Sequence, residues 1–212
     1  MYKYKKYWRK TSLKQEGVGD LFLNHVRQKK PKHFLEIGVF HGVTSRNVCE
    51  LLHLIHGNNF KFTGVDLFEN DSRKLNDEIA PQTNFSNPLK KIYYKYIIKS
   101  DPYTYASVEK LLIKFKDNIN IIKGNSNHVL KQMNTNEFDY VFLDGGHKYE
   151  TVKNDLQSLI KVIENNGTIL CDDYNLTYAP GIKKAIDEYI NNYNFNLKIL
   201  NDRFAEITNK SR

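Results

Sequence analysis

A chain of 212 residues with 40% apolar and 26% charged side chains has the length for one domain with a full core and the composition of a water-soluble globular protein. No apolar run approaches the ~20 residues of a membrane-spanning helix, and the basic start MYKYKKYWRK is not followed by the apolar segment of a secretory signal. The net charge of +8 admits an anionic partner, whether nucleic acid, a nucleotide-linked substrate or a membrane surface, without choosing among them.

In residues 1–10, Lys3, Lys5, Lys6, Arg9 and Lys10 are interleaved with Tyr2, Tyr4, Tyr7 and Trp8. Such an arm can lie on an anionic surface or stack on nucleic acid. Solvation, or packing on the domain or on a second subunit of a homo-oligomer, is the plainer expectation. Val18, Leu21, Phe22 and Val26 mark an amphipathic helix that stops before Pro31, so residues 1–32 read as an arm and helix ahead of the main domain.

From His33 the pattern is α/β. His33 to Val39 reads as a strand, followed by a turn at Gly42 and a helix with Thr44 or Ser45 as its N-cap. Val48, Leu51, Leu52 and Ile55 form that helix's buried stripe. Phe60 to Val65 is the second strand, ending at Asp66. Leu67 to Tyr103 is polar and carries Pro81, Pro88 and Pro102. It reads as an irregular insert, a length of connection that usually serves as a lid or is disordered. Val108, Leu111, Leu112 and Phe115 begin the next helix, and Ile119 to Ile122 is a strand ending at Gly124-Asn125-Ser126.

Tyr140 to Leu143 is a short apolar strand that stops at Asp144-Gly145-Gly146-His147. One helix follows through Val152, Leu156, Leu159, Ile160 and Ile163, with Gly167 as its left-handed stop. Thr168 to Cys171 is a strand ending at Asp172-Asp173. A helix from Pro180 buries Ile182, Ala185, Ile186 and Ile190. Strands Asn196–Leu200 and Arg203–Thr208 close a hairpin at Asn201-Asp202. Strands alternating with helices predict a doubly wound, mostly parallel sheet with one antiparallel strand at or near an edge. Cys49 and Cys171 fall inside a predicted helix and strand and read as buried reduced thiols, which fits a cytoplasmic protein.

Parallel neighbours would bring Asp144, His147, Asp172 and Asp173 to one carboxyl edge, where open α/β sheets bind ligands. At the same edge, the turn Glu36-Ile37-Gly38-Val39-Phe40-His41-Gly42 lets backbone approach a ligand closely at Gly38 and Gly42. It lacks the dinucleotide spacing G-x-G-x-x-G. The acid in the turn suits a cationic ligand, an amino group or a sulfonium, better than a pyrophosphate. Asp66 is placed to accept from the vicinal hydroxyls of a ribose, and Asn125 and Ser126 to contact an adenine, although each can equally cap local structure.

With these residues in view, the chain from Phe34 to Thr208 resembles the class I S-adenosylmethionine-dependent methyltransferases. FLEIGVFHG is similar to their first motif, GVDLF to the motif ending in the ribose-binding acid, and IIKGNS to the adenine-side motif. The resemblance implies a Rossmann-like seven-stranded methyltransferase sheet over 33–212, with residues 67–103 as insert or lid. It also implies S-adenosylmethionine as cofactor, held by Glu36, Gly38, Gly42, Asp66, Asn125 and Ser126. FLDGGHKYETVKNDL followed by GTILCDDY more specifically resembles a bacterial group of macrolide-sugar O-methyltransferases and proteins labelled cephalosporin-hydroxylase-like. In that group the matching positions imply Asp144, Asp172 and Asp173 as Mg²⁺ ligands and His147 as base.

The residue chemistry agrees. Oxygen-only donors suit a hard cation, such a cation acidifies a hydroxyl, and an imidazole takes a proton near neutral pH. The expectation is an O-methyltransferase for a small hydroxylated acceptor such as a sugar, free or carried by a nucleotide or lipid. RNA or another nucleic acid is the less favoured substrate, since no N-P-P-Y-type loop is present and a metal is not needed there. A non-catalytic cofactor-binding module is the third reading. No two-His, one-carboxylate iron motif supports a hydroxylase, no Cys/His cluster has zinc spacing, and no Ser has a nucleophile-elbow context.

Overall fold

The computed structural model describes residues 2–68 and 85–210; residues 69–84 of the expected insert lie outside the described residues. The helices are α1 (Val18–Lys29), α2 (Val43–His56), α3 (Pro88–Ile92), α4 (Tyr105–Leu112), α5 (Ser126–Gln132), α6 (Tyr149–Ser158), α7 (Ile160–Glu164) and α8 (Pro180–Tyr193). The strands are β1 (His33–Ile37), β2 (Lys61–Asp66), β3 (Ile119–Lys123), β4 (Tyr140–Leu143), β5 (Thr168–Cys171), β6 (Asn196–Leu200) and β7 (Phe204–Thr208). They form one seven-stranded sheet in the order β3-β2-β1-β4-β5-β7-β6.

The five strands from β3 to β5 pair in parallel, while β7 runs antiparallel to both β5 and β6. The sheet is therefore the expected doubly wound one, with the antiparallel strand one place in from the edge. At the hairpin, Leu200 pairs with Phe204 across Asn201, Asp202 and Arg203, so the last strand starts one residue later than expected; Asn201 and Asp202 both take φ of +52°, the left-handed geometry of a tight turn.

Alternation along the central strands feeds two core layers. Phe34, Phe62, Tyr140 and Phe142 face α1, α2 and α4, packing with Phe22, Val48 and Leu112. Leu35, Ile37, Val141, Leu143 and Ile169 face the opposite way, against Leu156, Ile163 and Ile186 of α6, α7 and α8. All four residues of β4 and of β5 are buried, as strands covered on both faces must be. The Phe34 ring stacks between Phe62 at 5.8 Å and Tyr140 at 5.0 Å. Complete burial of a phenylalanine contributes on the order of 2–3 kcal/mol.

The structure corrects four local expectations. α2 is capped by Gly42 at φ +72° with no side-chain cap; Thr44 and Ser45 lie inside the helix, their hydroxyls engaged by Tyr4 and Glu36. The single helix after β4 is two, because Leu159 leaves helical geometry at ψ 5° while staying fully buried. Asn166, not Gly167, supplies the left-handed residue, at φ +64°. Gly167 is required instead by crowding, since a Cβ there would lie 2.7 Å from the Val162 carbonyl oxygen and 3.1 Å from that of Asp139. Finally, the described end of the insert is helical: Asn87 accepts from the N–H groups of Leu89 and Lys90, Pro88 occupies the first turn of α3, and a π-helical turn follows over Tyr93–Ile98. Proline is favourable at that helix position because its missing N–H would have had no partner.

The N-terminal segment packs on the sheet layer. Leu13 and Val18 join the core beneath α2, and the Tyr4 hydroxyl meets Thr11 and Thr44 at 2.7 and 2.9 Å. On the same layer the Tyr140 hydroxyl lies 2.8 Å from His25 Nδ1. His25 in turn approaches the buried Glu206 at 3.2 Å, and Lys29 reaches the same carboxylate at 2.6 Å.

His25, followed by Lys29, holds the Glu206 carboxyl down to about 2 from an ordinary 4.5. A group depressed on folding contributes stability above its unfolded pKa and loses it as pH falls through its folded one. The unfolding free energy from urea titrations should therefore fall between about pH 4.5 and about pH 2. Glu206→Gln should cost about 2 kcal/mol at pH 7 and flatten that acid limb.

Candidate active site

Parallel register brings three strand ends together. The Asp144 N–H donates to the Ile37 carbonyl at 2.8 Å and that of Asp172 to Leu143 at 3.0 Å, extending the ladder past the ends of β1, β4 and β5. Gly38, at φ +94°, lies where the turn after β1 meets the loop after β4. A Cβ there would stand 1.9 Å from the Asp144 carbonyl oxygen, so no other residue fits. The glycine turn and the acidic loop are thus in backbone contact.

Asp144, Asp172 and Asp173 offer one oxygen each within 4.8 Å of one another. With Gly145, Gly146 and His147 they line a cavity of about 10 Å³, space for roughly one water-sized species. Arg203 Nε and Nη2 each donate to an Asp172 oxygen at 2.6 Å, a two-pronged, charge-assisted contact. Nη2 also lies 3.5 Å from Asp173. The Ser12 hydroxyl donates to Asp144 at 2.6 Å, and His147 Nε2 lies 3.6 Å from Asp173 Oδ2. Asp173 holds φ at +57°, a left-handed conformation that aspartate tolerates better than most residues.

Burial, then the neighbouring carboxylates Asp172 and Asp173, push the Asp144 carboxyl well above its ordinary value. Burial likewise raises Asp172, to about 6, against the pull of Arg203. With all three ionised, the carboxylates set against one guanidinium would carry two negative charges, the charge a divalent cation neutralises; without a cation, the raised Asp144 and Asp172 hold the cluster below that charge. The all-oxygen donor set is that of a hard cation. Asp144 and Asp173 are the more available donors, because Asp172 has both oxygens engaged by Arg203.

The glycine turn is built differently from what its sequence suggests. Glu36 is buried on β1, and its Oε2 accepts from the Ser45 hydroxyl. Its Oε1 is buried with no hydrogen-bond partner among the described residues, and burial lifts the carboxyl to about 8. A buried acceptor with no partner is costly and fits a ligand that brings a donor or a positive charge. Asp66 accepts from the Phe40 N–H at 2.7 Å, the Phe68 N–H at 2.8 Å and the Tyr103 hydroxyl at 2.9 Å.

His41, inside this turn, is fully buried. Its Nδ1 accepts from the Lys10 N–H at 3.2 Å, and its ring lies 4.1 Å from that of Phe40. Burial, followed by the charges of Arg9, Lys10 and Lys90, depresses it to about 3, so it is a neutral imidazole, whose Nε2 is buried without a hydrogen-bond partner among the described residues. Asn125 caps α5 by accepting from the Asn127 N–H at 3.0 Å. Ser126 donates to the buried Asp155 at 2.9 Å. Both stand at the end of β3, Asn125 as the cap of α5 and Ser126 as a tie to α6.

Sequence reasoning missed Ser12, Arg203 and Tyr103. Arg203 was recoverable in principle. A closing antiparallel strand beside β5 starts where β5 ends, so the residue at its head lies next to Asp172. Ser12 and Tyr103 are brought in by chain paths that no spacing encodes.

A family model described as a methyltransferase domain matches residues 35–174. An uncharacterized protein of Acanthamoeba polyphaga mimivirus is 30% identical over 108 residues, 45% of this chain and 49% of that one; the chain thus spans about half the length of the curated relative it matches. Among solved structures, an S-adenosylhomocysteine-bound methyltransferase of Podospora anserina aligns with a TM-score of 0.60 at 18% identity, over 93% of this chain and 80% of that one. A TDP-rhamnose 3′-O-methyltransferase of calicheamicin biosynthesis aligns at 0.61 and 16% identity, over 92% and 81%. At such identities these likenesses establish the fold.

Removing Arg203 leaves a fully buried Asp172 carboxylate without its counter-charge. Arg203→Met should cost about 3–5 kcal/mol in urea unfolding with chelator present. The double variant Asp172→Asn, Arg203→Met should recover most of that loss, because neither charge remains.

Proposed function

The chain belongs to the methyltransferase domain family of S-adenosylmethionine-dependent enzymes, and on that premise we propose that it methylates a hydroxyl of a small acceptor with the help of Mg²⁺. One observation carries this reading: the Asp144-Asp172-Asp173 cluster, with His147 beside it, abuts the glycine turn through Gly38. A methyl donor in that turn and an acceptor at the cluster would be neighbours. The buried, unpartnered Glu36 Oε1 supports a donor carrying positive charge. Gly38 and Gly42 would let it approach the backbone, Asp66 would take its ribose hydroxyls, and Asn125 and Ser126 would stand on its adenine side.

A divalent cation held by Asp144, Asp173 and the outer lone pairs of Asp172 would supply Lewis acidity that makes an acceptor hydroxyl easier to deprotonate. His147, whose Nε2 lies 3.6 Å from Asp173 Oδ2, receives the acceptor's proton. Arg203 fixes Asp172, and Ser12 fixes Asp144, so the cluster is positioned before the acceptor arrives.

A sugar hydroxyl is the acceptor class we favour, in line with the TDP-rhamnose methyltransferase among the structural neighbours. Among the described residues no helix is long and apolar enough to cross a membrane, and both cysteines are free and buried. Those thiols are in keeping with a reducing, cytoplasmic setting.

His147→Ala should abolish methyl transfer while leaving S-adenosylhomocysteine affinity by calorimetry unchanged. Transfer at the wild-type rate would remove His147 as the base. Asp66→Ala should weaken that affinity by at least ~10-fold. Tyr103→Phe should strengthen it by roughly 2- to 10-fold, because the tyrosine hydroxyl no longer competes for the carboxylate. Chelation should suppress turnover and leave S-adenosylhomocysteine binding in place; turnover unaffected by chelator would eliminate the metal's part.

A further inference from the structure

The described part of the insert presents a face of exposed apolar and basic side chains. Five of its large apolar side chains stand in solvent within ten positions: Leu89, Ile92, Tyr96, Ile97 and Ile98, with Leu89 66% and Ile97 68% exposed. Interleaved with them are Lys90, Lys91, Lys95 and Lys99, and residues 85–100 contain no acid. The face is held in place from beneath. Tyr94 is buried and stacked on Phe85 at 4.9 Å, Tyr93 meets Trp8 edge-on at 5.7 Å, and Asn87 caps α3. These apolar groups are therefore displayed by an anchored segment.

We propose that this face docks on an anionic lipid bilayer surface. Leu89, Ile92 and Ile97 enter the boundary between headgroups and acyl chains, Tyr96 sits at headgroup level, and the four lysines pair with acidic headgroups. Charge selects this occupant over two others. A two-fold contact between copies would set the lysines against each other with no acid in the segment to offset them. Single-stranded nucleic acid is held by stacking on aromatic faces, and of the five outward apolar groups only Tyr96 has a ring. The Phe85 ring that supports Tyr94 also lies 5.9 Å from His41 of the glycine turn, so the docked face and that turn share one aromatic packing layer.

The test uses the full chain in co-sedimentation with vesicles of pure phosphatidylcholine and of an equal mixture of phosphatidylcholine and phosphatidylglycerol. The expected result is binding to the mixed vesicles at least ~10-fold tighter than to the neutral ones, weakening as salt is raised. Ile92→Glu with Ile97→Glu should reduce it at least ~10-fold without changing the thermal midpoint, since both side chains are exposed. Absence of vesicle binding, or equal binding by the double variant, would overturn the proposal. So would a concentration-dependent dimer that the double variant abolishes, or binding of this face to RNA oligonucleotides in preference to vesicles.

Discussion

The candidate site depends on gathering three carboxylates at the ends of β4 and β5 without their mutual repulsion opening the sheet edge. Parallel register fixes where the carboxylates emerge, and the raised Asp144 and Asp172 record the cost of crowding them away from water. Two side chains from opposite ends of the chain offset it. Arg203 grips both oxygens of Asp172, and Ser12 donates to Asp144. The compensation is incomplete, and the acidic cluster that results has the all-oxygen donor set a small hard cation would use. Had a second arginine entered the cluster, the same fold would carry a structural ion-pair network with no room for one.

The glycine turn shows the same incompleteness in another form. Glu36 is half satisfied, with Ser45 on one oxygen and nothing on the other. Asp66 is the reverse, with both oxygens already engaged by backbone and by Tyr103. The turn's acids therefore differ in readiness. Glu36 has a free acceptor among the described residues, while under the proposed function Asp66 would have to share or surrender a tyrosine hydroxyl before a ligand hydroxyl could bind.

Much of the fold was legible because short strands buried on both faces leave an unmistakable pattern. YVFL and TILC are continuous apolar runs, and each stops at the acid that begins a site loop. The hairpin was legible because Asn-Asp accepts left-handed geometry. What spacing cannot report is which neighbour claims a polar group. Ser45 had the chemistry of a cap but serves Glu36. Pro88 and its neighbours read as irregular because a proline near a helix start looks like a break, and a π-helical turn has no familiar period. The candidate site followed the same division: the acids and His147 lie on strand ends that the pattern located, whereas Ser12, Tyr103 and Arg203 arrive through tertiary paths.

The placement of β7 between β5 and β6 has a consequence for synthesis. Strands β1 to β5 can assemble in the order in which they leave the ribosome, but the strand that borders β5 and carries Arg203 at its head emerges after all of them. Until it arrives, Asp172 lacks its counter-ion and β5 presents an unpaired edge, a template for pairing with another chain. Arg203 also reaches the Ser12 carbonyl across 191 positions of sequence. The closing hairpin thus ties back to a segment that precedes all five parallel strands. A message truncated before that hairpin would yield a chain that holds all five parallel strands, yet is open along the seam where its acidic cluster should close.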